Sequence, residues 1–399
     1  GIRDSVASRG LGDVYKRQGN RGINEVKLRL SKKSILKGLE GRLGEDDYVE
    51  PLDFLVESFK KEARFNLAGN FAVRHQLVNR LKVRAQLNEF IQGKDLPNPA
   101  SPLFVMGLPR SGTTFLFDLL SCDARYRSPL FWEITRPFPL VKKDSKEAKK
   151  RVKQTNRELG LARKFIPKLL SMHHIHGEMP EECSLINTMS VRSFIYMCMS
   201  NSPGYEDYLK TCDYTAAFMW HKRFLQALET QHRPEKWLLK DPSHISHTPE
   251  ILATYPNAKF VHIHRNPVKA IGSLSSLTTS VRSGLSKHAD PHLIGKRVLD
   301  FWQYAINKSI TDREEFLKPE QIIDIDYREF VKNPTQQIQA IYTHFGYDLD
   351  SKTLDAMEAF IENQSEEEHT PHHYKLEDFG LSEERVQEAF SNYNRIHNF

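Results

Sequence analysis

The chain has 399 residues, 39% of them hydrophobic and 27% charged, and carries a formal charge of +6. That balance excludes a disordered chain, and no apolar run approaches the roughly 18 residues of a membrane span. The mild basic excess suits a small anionic ligand, whereas a nucleic-acid polymer calls for more charge gathered on one face.

Residues 1–18, "GIRDSVASRGLGDVYKRQ", show neither an apolar targeting core nor a helical period, and read as a non-native leader. Helical spacing appears at Leu52, Leu55, Val56 and Phe59 within 49–66, and again at Leu77, Leu81, Ala85 and Leu87 within 71–92. These predict a helical N-terminal extension over 45–97, which "GKDLPNPASP" ends. After Pro102 the pattern changes. "LFVMG" predicts a strand and "TTFLFDLLS" a helix. Residues 142–228 are predicted mostly helical, opening on the charge run "KKDSKEAKKRVKQ" and continuing with aromatic-rich stretches that read chiefly as core. Strands follow at Trp237–Leu239 and Phe260–Ile263, each trailed by a helix ("TPEILATYP", "VKAIGSLSSL"). A last strand, "QIIDIDY", leads into one helix over "REFVKNPTQQIQAIYTHFG". Alternating strands and helices predict an α/β fold over 102–399: three layers, a parallel central sheet of P-loop type, and ligand sites at the strands' carboxyl ends.

Four cysteines, Cys122, Cys183, Cys198 and Cys212, form no C-x-x-C pair. They read as reduced thiols of a cytoplasmic protein rather than disulfides or zinc ligands.

"GLPRSGTT" matches a Walker A loop at Gly107, Gly112 and Thr114. Thr113 stands where that loop has lysine, and a basic residue, Arg110, lies three positions earlier. A glycine-containing turn feeding a helix N-terminus is an anion cradle, with Thr113 and Thr114 adding hydroxyls. No Walker B aspartate is evident: the strand "FVHIH" runs into Arg265. That weakens a magnesium-dependent kinase or nucleotide hydrolase with a degenerate loop, which stands as the alternative. A non-enzymatic nucleotide-binding module is a further one. In "HRNPVKAIGSLSSL", Arg265 sits at a strand end and Ser273 eight residues on, about two helical turns down. A guanidinium and a hydroxyl there can grip a second phosphate. Two anion sites on neighbouring strand ends suit a nucleoside phosphorylated at both ends.

"PRSGTT" followed by "HRNPVKAIGS" resembles the two nucleotide motifs of sulfotransferases that use 3′-phosphoadenosine-5′-phosphosulfate. "PEEC", "WLLKDPSH" and the terminal "HHYKLEDFGLSEERV" extend the likeness to the bacterial-type branch, over about residues 45–399. The resemblance implies that Arg110, Ser111, Gly112, Thr113 and Thr114 hold the 5′-phosphosulfate. It gives Arg265 and Ser273 the 3′-phosphate, and brings His373 and Tyr374 over the nucleotide. No metal is expected. Arg110 and Lys240 are the cations available to the leaving phosphate. For the base that deprotonates a hydroxyl acceptor, or less favourably an amine, His244 in "KDPSH" is the first candidate, and His176 and Glu181 in the "MHHIHGEMPEEC" loop are the rivals. The acceptor is expected to be a small molecule or a carrier-bound group.

Overall fold

The structure, a computed structural model, describes residues 30–165, 175–366 and 374–399. The leader at 1–18 and His373 lie outside the described residues.

Among the described residues one parallel sheet is formed by β1 (Pro102–Met106), β2 (Tyr126–Arg127), β3 (Lys236–Lys240), β4 (Lys259–His264) and β5 (Ile322–Asp326). Their order is β2-β3-β1-β4-β5. Side chains alternate across the sheet as the strand period requires. Leu103, Val105, Leu238, Val261 and Ile263 face one layer, where they meet Leu116 and Phe117 of the Thr113–Leu120 helix and Ile338, Ile341 and Tyr342 of the Pro334–Phe345 helix. Phe104, Met106, Trp237, Leu239 and Phe260 face the other layer, which holds the larger core. The N-terminal helices, Val49–Lys61 and Leu67–Ile91, bury Leu52, Leu55, Val56, Phe59, Leu77, Leu81, Ala85 and Leu87 in that core. Tyr196, Phe218 and Trp220 of the helical 142–228 segment join them there, so these aromatics are packing residues. No helix among the described residues is long and apolar enough to cross a membrane.

Two details depart from the sequence expectation. β2 was not predicted; a two-residue strand is too short to show a period. The predicted single helix over 328–346 is two, Tyr327–Lys332 and Pro334–Phe345. Pro334 has no N–H to continue the first helix, and it excludes the helical conformation at Asn333, which adopts φ −139°, ψ 66°.

β1 lies between β3 and β4: the chain runs from it to β2 and β3 on one side, then crosses to β4 and β5 on the other. A crevice opens at the carboxyl ends of strands where the order reverses in this way. Three strand ends converge there: the Gly107–Gly112 loop after β1, Lys240 closing β3, and Arg265 just past β4.

Candidate functional site

The loop after β1 is shaped by backbone that only small or constrained residues tolerate. Gly112 has φ 96°, and a Cβ there would lie 2.7 Å from the Tyr327 ring. Arg110 takes φ 67°, a left-handed conformation uncommon for a side chain of this size and a usual mark of a functional turn. The loop ends at the N-terminus of the Thr113–Leu120 helix, whose Gly112 cap offers no side chain to the first-turn N–H groups. Ser111 is fully buried, and its Oγ has no hydrogen-bond partner among the described residues.

Arg110 and the second motif meet directly. Arg110 Nε donates to Ser273 Oγ at 3.1 Å, and Arg265 Nη1 donates to the Arg110 carbonyl at 2.7 Å. The Arg265 guanidinium also lies over the Tyr327 ring, 4.2 Å from its centre. Burial first, and then the neighbouring positive charge of Arg265, push the Arg110 guanidinium below its usual range. Two cations held this close favour an anion between or beside them. Ser273 and Arg265 are set by the Pro267–Leu285 helix: the Asn266 side chain accepts from Val268 N–H at 2.9 Å, and Pro267 occupies the first turn. The anion groups thus form one continuous surface rather than two isolated pockets. Tyr374 closes its edge. Its hydroxyl donates to the Lys269 carbonyl at 2.9 Å, and its ring lies where a Cβ on Gly272 would be, 2.4 Å away.

Beside the loop, Lys240 is buried and bonds two partners, Thr114 Oγ1 at 3.0 Å and Glu182 Oε1 at 2.9 Å. Burial would lower its pKa, but Glu182 and Glu181 outweigh that and hold it above the ordinary value. Glu181 is the reverse case: burial, then the adjacent Glu182, push its carboxyl up to about 7. Asp241 is also pushed up, by burial and then Glu182. A single lysine therefore sits among acids that cannot all ionise together. Thr113 is buried beneath the loop, while Thr114 is exposed above Lys240.

The other base candidates lie elsewhere. His244 is fully buried in the apolar core, edge-on to Phe104 at 5.0 Å and against Phe218 at 5.7 Å. Neither ring nitrogen has a partner among the described residues, and burial drives its pKa well below the ordinary value. His176 is exposed and pairs through Nε2 with Asn156 at 2.7 Å. Sequence reading gave no role to Tyr327, which supports Arg265; the only hint is that both follow the ends of adjacent strands β4 and β5.

The sequence profile described as the sulfotransferase family matches residues 102–351. Two curated proteins, the omega-hydroxy-beta-dihydromenaquinone-9 sulfotransferases Stf3 of Mycobacterium bovis and Mycobacterium tuberculosis, are each 25% identical over 257 residues. That match takes in 61% of this chain and 62% of theirs, so the chain spans less than two thirds of the length of these relatives. Among solved structures, the sulfotransferase STF1 of Mycobacterium tuberculosis superposes with TM-score 0.78 at 28% identity, over 90% of this chain and 96% of that one. STF9 of Mycobacterium avium superposes with TM-score 0.80 at 25% identity, over 93% and 97%.

Proposed function

The chain belongs to the sulfotransferase family, and from that premise we propose that it moves a sulfuryl group from 3′-phosphoadenosine-5′-phosphosulfate to the hydroxyl of a small-molecule or carrier-bound acceptor. One observation carries this reading: Arg110 bonds Ser273 while Arg265 bonds the Arg110 backbone. This joins an anion cradle at a helix N-terminus to a second cationic grip at the end of the adjacent strand β4.

The residues fit that donor by their own chemistry. The partnerless Ser111 hydroxyl and the uncapped first turn of the Thr113–Leu120 helix are unmet donors. With Arg110 and Thr114 they would hold the 5′ end, and Arg265 and Ser273 the 3′-phosphate. Tyr374 guards the edge next to Ser273. When bound, the donor supplies the sulfuryl group and a phosphate leaving group on which negative charge grows. Lys240, buried and with its pKa held above the ordinary value, would offer a third N–H beside Thr114 to that charge. Glu181 titrates near neutrality and takes the acceptor's proton, with Glu182 tethering Lys240 beside it. We assign the base to Glu181 rather than His244, whose fully buried ring packs against Phe104 and Phe218, or His176, which is exposed on Asn156. A proton acceptor of this strength suits a hydroxyl, and the named substrates of the curated relatives are omega-hydroxy compounds. The magnesium-dependent kinase alternative finds no support among the relatives named above, each a sulfotransferase.

Incubation with a radiolabelled phosphosulfate donor and pools of phenol, sugar, quinol and acyl-chain alcohols tests the reading. Label should move to at least one hydroxyl acceptor without added magnesium. Stabilisation by magnesium–ATP greater than that by adenosine 3′,5′-bisphosphate, with no label transferred, would contradict it.

A further inference from the structure

Directly behind Arg265 lies a set of polar groups that the transfer chemistry does not use. Asp324, opposite His262 in the β4–β5 register, accepts from His264 Nε2 at 2.8 Å and from both terminal nitrogens of Arg313. The other ring nitrogen, His264 Nδ1, lies 3.0 Å from the Tyr393 hydroxyl on the C-terminal Ser391–His397 helix. Arg265 follows His264 directly in the chain, at the end of β4. His264 and Tyr393 are both buried, and His397 stacks on His264 with ring centres 3.6 Å apart.

Each hydrogen bond in this series has its direction fixed by the one before it. Burial would raise the Asp324 pKa, but His264 and Arg313 outweigh it and keep the carboxylate ionised, so Asp324 only accepts. His264 Nε2 therefore carries the ring proton. Burial keeps the ring neutral, which leaves Nδ1 as a lone pair. Tyr393 O–H fills that lone pair. The ring held in this way belongs to the residue directly before Arg265, whose side chain crosses to the Arg110 carbonyl.

We propose that Arg313, Asp324 and Tyr393 form a positioning chain that anchors the His264 ring at the end of β4, directly before Arg265, and so holds the Arg265 guanidinium in the pose that selects a 3′-phosphate. This rests on the reading that Arg265 binds that phosphate. The residues act through Arg265 and touch no reacting atom. The same neighbourhood offers a rival interpretation, because ligand atoms of His262, His264 and Asp324 lie within 4.8 Å of one another. A divalent cation there would have to displace both Arg313 and the His264 ring N–H from Asp324, bonds the positioning chain retains.

Calorimetric titration with adenosine 3′,5′-bisphosphate and with adenosine 5′-monophosphate tests the proposal on wild type, Tyr393→Phe and Arg265→Ala. Tyr393→Phe keeps the ring and removes one hydroxyl. It should weaken the bisphosphate about three- to tenfold while leaving the monophosphate nearly unchanged. Should that variant fail to fold, Asp324→Asn, which keeps the shape but removes the charge fixing the ring proton, carries the same expectation. Equal losses for both ligands, or no loss, in a folded variant would overturn the chain, because a purely structural residue does not discriminate a 3′-phosphate. If Arg265→Ala itself spares the discrimination, the reading of Arg265 falls and the chain with it. If Arg265→Ala abolishes it and Tyr393→Phe keeps it, the chain alone is overturned. A rise in the wild-type melting temperature on adding zinc chloride would overturn it in favour of a metal site.

Discussion

At the residue scale, the account turns on which buried polar group is useful and which is inert. His244 is fully buried and Glu181 half-buried, with opposite consequences. Burial raises a carboxyl toward neutrality, where it can exchange protons, and lowers an imidazole out of that range. Turnover should therefore rise with pH through about 7 as Glu181 ionises, and Glu181→Gln should cut turnover about 10²–10⁴-fold and abolish that rise. Stability should move the other way. With its folded pKa above its unfolded one, the carboxyl binds more protons when folded between about 4.5 and 7, so its contribution falls as pH rises through that window. Glu181→Gln should then melt higher than wild type at pH 8 by about 1–3 kcal/mol of unfolding free energy, measured by urea titration. His244→Phe should fill the slot between Phe104 and Phe218. Its turnover should drop less than about tenfold; a loss on the scale of a general base would return that role to His244.

At the element scale, the Pro267–Leu285 helix governs the site, since it carries Ser273 and starts just after Arg265. Its far end is clasped by the N-terminal extension. Asn66 N–H donates to the Leu285 carbonyl at 3.0 Å, the Asn66 side chain donates to the Gly284 carbonyl at 3.0 Å, and Lys287 N–H to the Arg64 carbonyl at 2.9 Å. Contact is so close that a Cβ on Gly69 would lie 1.8 Å from the Leu285 carbonyl oxygen. Backbone cannot yield as a flexible side chain does, so Gly69→Ala should cost about 1–3 kcal/mol by denaturant titration. The same substitution at a half-buried helical glycine with open space for a Cβ, Gly160, should be neutral or stabilising by contrast. Elements of this kind were partly legible in the sequence. The apolar runs of β1, β3, β4 and β5 and the 3.6-residue spacing of the N-terminal helices show directly in the residues. β2 does not, and the break at Asn333–Pro334 was missed because the apolar pattern runs on across it.

At the scale of the whole molecule, the parallel sheet brings groups far apart in the chain to one crevice. The loop and the Arg265–Ser273 pair could be read from the sequence as anion-binding because glycine, arginine and hydroxyl spacing is local. What spacing could not reveal is that Arg110 would bond Ser273, 163 positions away. Nor does local pattern report depth: "KDPSH" and "PEEC" look equally ready to supply a base, yet one histidine lies among core rings and one glutamate beside a lysine. The chain of bonds behind Arg265 was invisible for the same reason, since it joins β4, β5 and the C-terminal helix. The central claim is that this crevice grips both ends of one adenosine nucleotide. The most direct test is the ratio of affinities for adenosine 3′,5′-bisphosphate and adenosine 5′-monophosphate, measured by calorimetry in wild type and Arg265→Ala. Wild type should favour the bisphosphate, and the substitution should erase about 10- to 100-fold of that preference while sparing the monophosphate. No preference in wild type, or an equal loss for both ligands, would contradict the account.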